Sequence, residues 1–118
     1  MTARRSDCLF CGIVAGDVPA NVVRRDEQSM AVRDINPQAP THILLIPLAH
    51  HTDASALAAE DPHQLADLVT AAAELAESEG IAGSGYRLVF NTGDDAGQSV
   101  PHAHLHLLGG RTMAWPPG

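Results

Sequence analysis

The sequence predicts an α+β domain on an antiparallel sheet, and three observations carry that expectation. Several runs of strand length are separated by turn residues, a long stretch after Asp61 has helical apolar spacing, and the segment from His102 to Gly109 alternates His with Ala or Leu. At 118 residues and 45% apolar composition, the chain can close one compact core and is too short for two ordinary domains. Residues 1–118 are therefore expected to form one domain, with 1–6 disordered.

In chain order, the stretch from Cys8 to Ala15 predicts a short helix. Residues 22–26 and 29–35 read as two strands of a hairpin, with the turn at Asp26-Glu27-Gln28. Asn36-Pro37-Gln38-Ala39-Pro40 breaks the pattern, and the apolar run His42 to Ile46, stopped by Pro47, has the length of a buried central strand. Asp61 is a helix N-cap with Pro62 at the first helical position, and Leu65, Leu68, Val69, Ala72, Leu75 and Ala76 then mark one buried face. Gly80 stops that helix, and after Gly83-Ser84-Gly85 the run Tyr86 to Phe90 reads as another strand. Gly93 to Gly97 is a loop, and His102 to Gly109 is the last strand. The helices are thus one long and one short.

The formal charge is −7, and all seven basic residues are arginine. No basic stripe exists to release counterions from a polynucleotide, so nucleic acid is excluded as a partner. An anionic small ligand must instead be met by backbone N–H groups, hydroxyls or imidazoles in a local pocket. No apolar run approaches the roughly 18 residues of a membrane span, and no signal peptide is read after Arg4 and Arg5, so a soluble, cytoplasmic protein is expected. Cys8 and Cys11 stand too close together to close a useful disulfide loop, which fits reduced thiols.

His102, His104 and His106 fall on one face of an extended segment, roughly 6.5–7 Å apart at successive steps, with Ala103, Leu105 and Leu107 on the other. The alternation alone fits a solvent-facing polar strand, a metal site or a phosphate pocket. Gly97-Gln98-Ser99-Val100, just upstream, favours phosphate, because it supplies flexible backbone and a hydroxyl that bind an anion without lysine.

His102-Ala103-His104-Leu105-His106-Leu107-Leu108 resembles the His-x-His-x-His-x-x signature of the histidine triad superfamily, and the likeness runs from Cys8 nearly to the end. Asp34 to His42, Asn91, Gly97 to Val100 and the Trp115-Pro116-Pro117-Gly118 terminus are similar to the Hint branch of purine nucleoside phosphoramidases. The resemblance implies a five-stranded antiparallel sheet, a two-fold homodimer with a continuous ten-stranded sheet, and a C-terminal segment, residues 109–118, that reaches the partner's site. It also implies a purine nucleotide ligand, AMP-like, and hydrolysis of adenosine 5'-phosphoramidate-type substrates through a nucleotidyl-histidine intermediate. A dinucleoside polyphosphate hydrolase and a nucleotide-binding regulatory module with little catalysis are the alternatives.

Carried over residue by residue, the resemblance makes His104 the nucleophile, and His106 a donor to a phosphate oxygen. Ser99 stabilises the developing charge and helps protonate the leaving amine, while His42 and His102 are relay or orienting groups. Asp34 contacts the ribose and Ile35 the base. Asn91, Gly97, Gln98, Ser99 and Val100 surround the phosphate, and Trp115 shapes the leaving-group pocket across the dimer. Two departures stand out: Pro101 replaces a bulky residue, and Ala114 a polar one, often His.

Cys8-x-x-Cys11 has the spacing of a zinc half-site, or of two packed thiols. By resemblance His50 and His102 complete a structural zinc site, with His51 competing for the place of His50. A metal-bound His102 is not a proton relay, so its two roles exclude each other.

Overall fold

A computed structural model describes residues 7–118, so the expectation for 1–6 lies outside the described residues. The elements are α1 (Leu9–Ala15), β1 (Val22–Arg25), β2 (Ser29–Arg33), β3 (Thr41–Pro47), α2 (Ala54–Glu60), α3 (Pro62–Ser78), β4 (Tyr86–Val89) and β5 (Leu105–Gly109). The five strands form one antiparallel sheet in the order β1-β2-β3-β5-β4. No helix among the described residues is long and apolar enough to cross a membrane.

The central position of β3 explains its unbroken apolar run. On one face Ile43 and Leu45 join Ala31, Leu105 and Leu107 under Leu57 of α2 and Leu68, Ala72, Leu75 and Ala76 of α3. On the other, Leu44 and Ile46 join Met30 and Val32 beneath Cys8, Phe10 and Cys11 of the α1 segment. A strand covered on both sides has no solvent face to make polar. Leu68 is 0% exposed. Leu68→Ala is accordingly expected to lower unfolding free energy by about 2–5 kcal/mol, read from urea titrations of the two proteins.

The long helix begins as the sequence predicts: the Asp61 side chain accepts from Gln64 N–H, with Pro62 in the first turn. The expectation of one long and one short helix is corrected by α2, a third helix. Asp53 caps it by accepting from Ala56 N–H at 2.8 Å, and Asp61 closes it while opening α3. Only Leu57 of α2 is buried, so it has no apolar stripe for periodicity to detect.

The last strand also begins later than expected, at Leu105 rather than His102. Ahead of it, His102 N–H turns back to Val100 O and Ala103 N–H donates to His51 O at 2.6 Å. That backbone pairs with the loop after β3 instead of a neighbouring strand. β2 ends at Arg33 rather than at residue 35: Asp34 N–H still donates to His42 O at 3.0 Å, and its side chain accepts Asn36 N–H as the chain turns. Just before Asp34, Arg33 grips Glu79 at the end of α3 with two bonds, at 2.9 and 3.0 Å, and holds that carboxyl below its usual range.

Candidate active site and metal centre

The register of β3 against β5 puts Leu44 opposite His106 and His42 opposite Leu108, which brings two imidazoles into contact across adjacent strands. His42 Nε2 lies 2.9 Å from His106 Nδ1, and the ring centroids of His104 and His106 are 5.0 Å apart. Phe10 packs edge-on against His104, at 4.8 Å between centroids, and buries it from the α1 side. His102, His104 and His106 thus share one side of the sheet, although only His106 belongs to the ladder.

Main-chain groups fix where His104 and His42 carry their protons, and His42 in turn fixes that of His106. The His104 Nδ1–H donates to His102 O at 2.7 Å, which leaves Nε2 with its lone pair. Gln38 N–H donates to His42 Nδ1 at 3.0 Å, so a neutral His42 has its hydrogen on Nε2 and gives it to His106 Nδ1. The neutral His106 then holds its own hydrogen on Nε2. A carboxylate oxygen of Asp34, 3.4 Å from His42 Nε2, lies beside this chain. Asp34, His42 and His106 are close enough to suggest a second metal site. A metal on His42 Nε2 would force a hydrogen onto Nδ1, facing the Gln38 N–H, so the trio is a hydrogen-bond chain.

Burial lowers the pKa of His42 and His104, and brings that of His106 to about 4, with charge repulsion from His104 and His42 acting the same way. All three are neutral at pH 7. The unfolded chain takes up the His106 proton near 6.5, whereas the folded chain resists until about 4, so unfolding binds a proton in that window. Stability is therefore fully held above 6.5 and falls as pH drops from there towards 4. Urea midpoints at pH 7.5 and 5 are expected to separate more in wild type than in His106→Asn.

The other anticipated ligand contacts surround this cluster unevenly. Ile35 is 100% exposed beside Asp34, and Asn91 and Val100 are partly buried at the two ends of a loop that carries Gly97 at φ 81° and an exposed Ser99. Gln98, expected to touch a nucleotide, directs its side-chain amide into the loop: Oε1 accepts from Gly93 N–H, and Nε2 donates to Thr52 O and Val100 O. Trp115 is 83% exposed, on a tail held by a bond from Arg87 to Ala114 O. Sequence reasoning missed the carbonyls of Pro47, His51 and Thr52 and the amide of Gln38, because backbone groups leave no residue-type signal.

The second cluster is buried behind the first. Cys8 Sγ lies 3.3 Å from His102 Nδ1, Cys11 Sγ 3.3 Å from His50 Nδ1, and the two Nδ1 atoms 3.2 Å from each other. Tetrahedral zinc with ordinary Zn–N and Zn–S bonds separates its ligand atoms by about 3.3–3.7 Å, so these four residues fit that ion. The His102 Nε2–H donates to Pro47 O at 2.9 Å, which turns the Nδ1 lone pair towards the thiols. Burial lowers the His102 pKa to about 4, keeping the ring neutral. His51 points elsewhere, with Nδ1 2.7 Å from Glu60 Oε1. Both ring nitrogens of His102 are therefore engaged, and it is the His102 carbonyl that accepts from His104 Nδ1–H.

The chain is similar to known proteins. The family described as "HIT domain" matches residues 15–113. The purine nucleoside phosphoramidase of Escherichia coli (strain K12) is 45% identical over 107 residues, which cover 91% of this chain and 90% of that protein. A 14 kDa zinc-binding protein of Zea mays is 47% identical over 115 residues, 96% of this chain and 89% of the relative. The crystal structure of a HIT family hydrolase from Legionella pneumophila superposes with a TM-score of 0.92 at 51% identity, covering 95% of this chain and all of that one. On the triad geometry and these matches together, the chain belongs to the histidine triad (HIT) family, has its fold, and is an enzyme of the HIT hydrolase type.

Proposed function

We propose that the chain cleaves the P–N bond of adenosine 5'-phosphoramidate-type substrates to AMP through a nucleotidyl-His104 intermediate. The observation that carries this reading is the His104 Nδ1–H held on the His102 carbonyl, which keeps the Nε2 lone pair available at neutral pH. The phosphoramidase name of the Escherichia coli relative supports the choice of bond.

In the first step His104 Nε2 forms a bond to the α-phosphorus, the P–N bond breaks, and the amine leaves with a proton. Ser99 delivers that proton, regaining one from the water of the second step, and the N–H groups of Ser99 and Val100 stabilise the phosphoryl charge. His106 donates from Nε2 to a phosphoryl oxygen, its tautomer set by His42. Water then attacks phosphorus, releases AMP and restores His104. Asp34 binds the ribose, Ile35 the purine and Asn91 the phosphate side of the nucleotide. In this reading His102 is a metal ligand and orienting group, not a relay.

Cys8, Cys11, His50 and His102 hold a structural zinc that ties the α1 segment to the sheet, and the thiols it needs suit a reducing, cytoplasmic setting. The protein works as a two-fold dimer with a ten-stranded sheet, where Trp115 of one protomer reaches the leaving-group side of its partner. Support comes from the exposed Trp115 and from β4, an edge strand of the sheet.

The test compares steady-state hydrolysis of an adenosine phosphoramidate with that of a diadenosine polyphosphate. Faster turnover of the phosphoramidate, with a nucleotidylated protein trapped by intact mass, supports the proposal. Preference for the polyphosphate favours the first alternative, and AMP binding without turnover of either favours the regulatory module.

A further inference from the structure

We propose that Gln98 is a positioning residue that braces the phosphate loop from within and touches no ligand itself. This rests on the reading of residues 97–100 as the phosphate-binding segment. Four bonds converge on this one residue. Its N–H donates to Gly93 O at 3.1 Å while its Oε1 accepts Gly93 N–H at 3.0 Å, a reciprocal pair that closes the loop across its base. Its Nε2 uses both hydrogens, donating to Val100 O at 3.1 Å and to Thr52 O at 2.7 Å.

An amide side chain offers two donors on nitrogen and one acceptor oxygen, and here each has a main-chain partner. The Val100 bond clamps the loop on the far side of Ser99. The Thr52 bond ties it to the segment after β3 that carries His50 and whose His51 carbonyl receives Ala103 N–H. Through Gln98 the hydroxyl of Ser99 and the flanking amides are fixed relative to the backbone that presents His104. Gly97, at φ 81°, adopts a left-handed turn that would otherwise be free to relax.

Gln98→Leu keeps the size and removes both polar ends. In the protein without ligand, hydrogen exchange at the Gly93 and Gln98 amides is expected to quicken, with Tm close to wild type because the site lies at the surface. AMP and adenosine are then titrated against both proteins. The preference for AMP over adenosine is expected to fall by about tenfold in Gln98→Leu, with adenosine affinity unchanged, since one well-placed phosphate hydrogen bond is worth that much. Gln98→Glu, which sets a carboxylate against the carbonyls of Thr52 and Val100, is expected to lose the preference as well.

Unchanged amide protection together with a lost AMP preference would mean direct contact with phosphate and overturn the proposal. Retention of both in Gln98→Leu, or a wild-type phenotype in Gln98→Glu, would overturn it too. If wild type binds neither ligand, the functional reading fails, while the exchange result still decides whether Gln98 braces the loop.

Discussion

His104→Ala is expected to lower turnover of an adenosine phosphoramidate by at least about 10⁴-fold and to leave no nucleotidylated species in the intact-mass spectrum. The size of the effect follows from the absence of a substitute nucleophile in the right state. His106 is the nearest imidazole, but its Nδ1 receives the His42 hydrogen and its Nε2 is protonated, so it has no lone pair to offer. His102 has both nitrogens committed, to the thiol cluster and to Pro47 O. Affinity for AMP is expected to change far less than turnover, because Asp34, Asn91 and the Gly97 to Val100 loop are untouched. A variant that still turned over within tenfold of wild type would remove His104 from the chemistry.

The second large effect concerns the metal. Stripping zinc with a chelator, or replacing Cys11 with serine, is expected to cost about 4 kcal/mol under conditions where free zinc stands a thousandfold above its Kd, since an ion bound only by the folded chain stabilises it by mass action. For a chain of this length, a fall in Tm of roughly 15 °C or more follows. The loss is expected to reach the active site as well. Once His102 is released, the carbonyl that orients His104 is no longer anchored, so kcat is expected to drop more than KM rises. Restoring zinc reverses both changes in the chelated protein and neither in Cys11→Ser. A Tm indifferent to chelation would mean that the four side chains pack without an ion.

Local signals were legible in the sequence wherever a residue type performs a local task. Asp61-Pro62 marked the start of α3 because a cap and a fixed φ act within one turn. The run from His42 to Ile46 marked a strand buried on both faces. The triad and the Cys pair were legible from their chemistry, whereas Asp34 was singled out only through the family resemblance. Less was available where the fold decides. His50 and His51 are neighbours in sequence, and only the direction of the chain after β3 sends one to the thiols and the other to Glu60. Gln98 carried a polar side chain suited to a ligand, and nothing local disclosed that three carbonyl or amide partners from residues 52, 93 and 100 already surround it. The start of the last strand was misplaced because alternation reports extended backbone and not the presence of a ladder partner.

The atoms that set the imidazole tautomers belong to the peptide backbone: the amide of Gln38, the carbonyl of Pro47 and the carbonyl of His102. Peptide groups do not ionise in the range where proteins work, and they survive replacement of their own side chains. The proton arrangement at His42, His102 and His104 therefore rests on groups that carry no titrating proton of their own. What it depends on is the path of the chain, so a shift of backbone here would retune the chemistry while every histidine stayed in place.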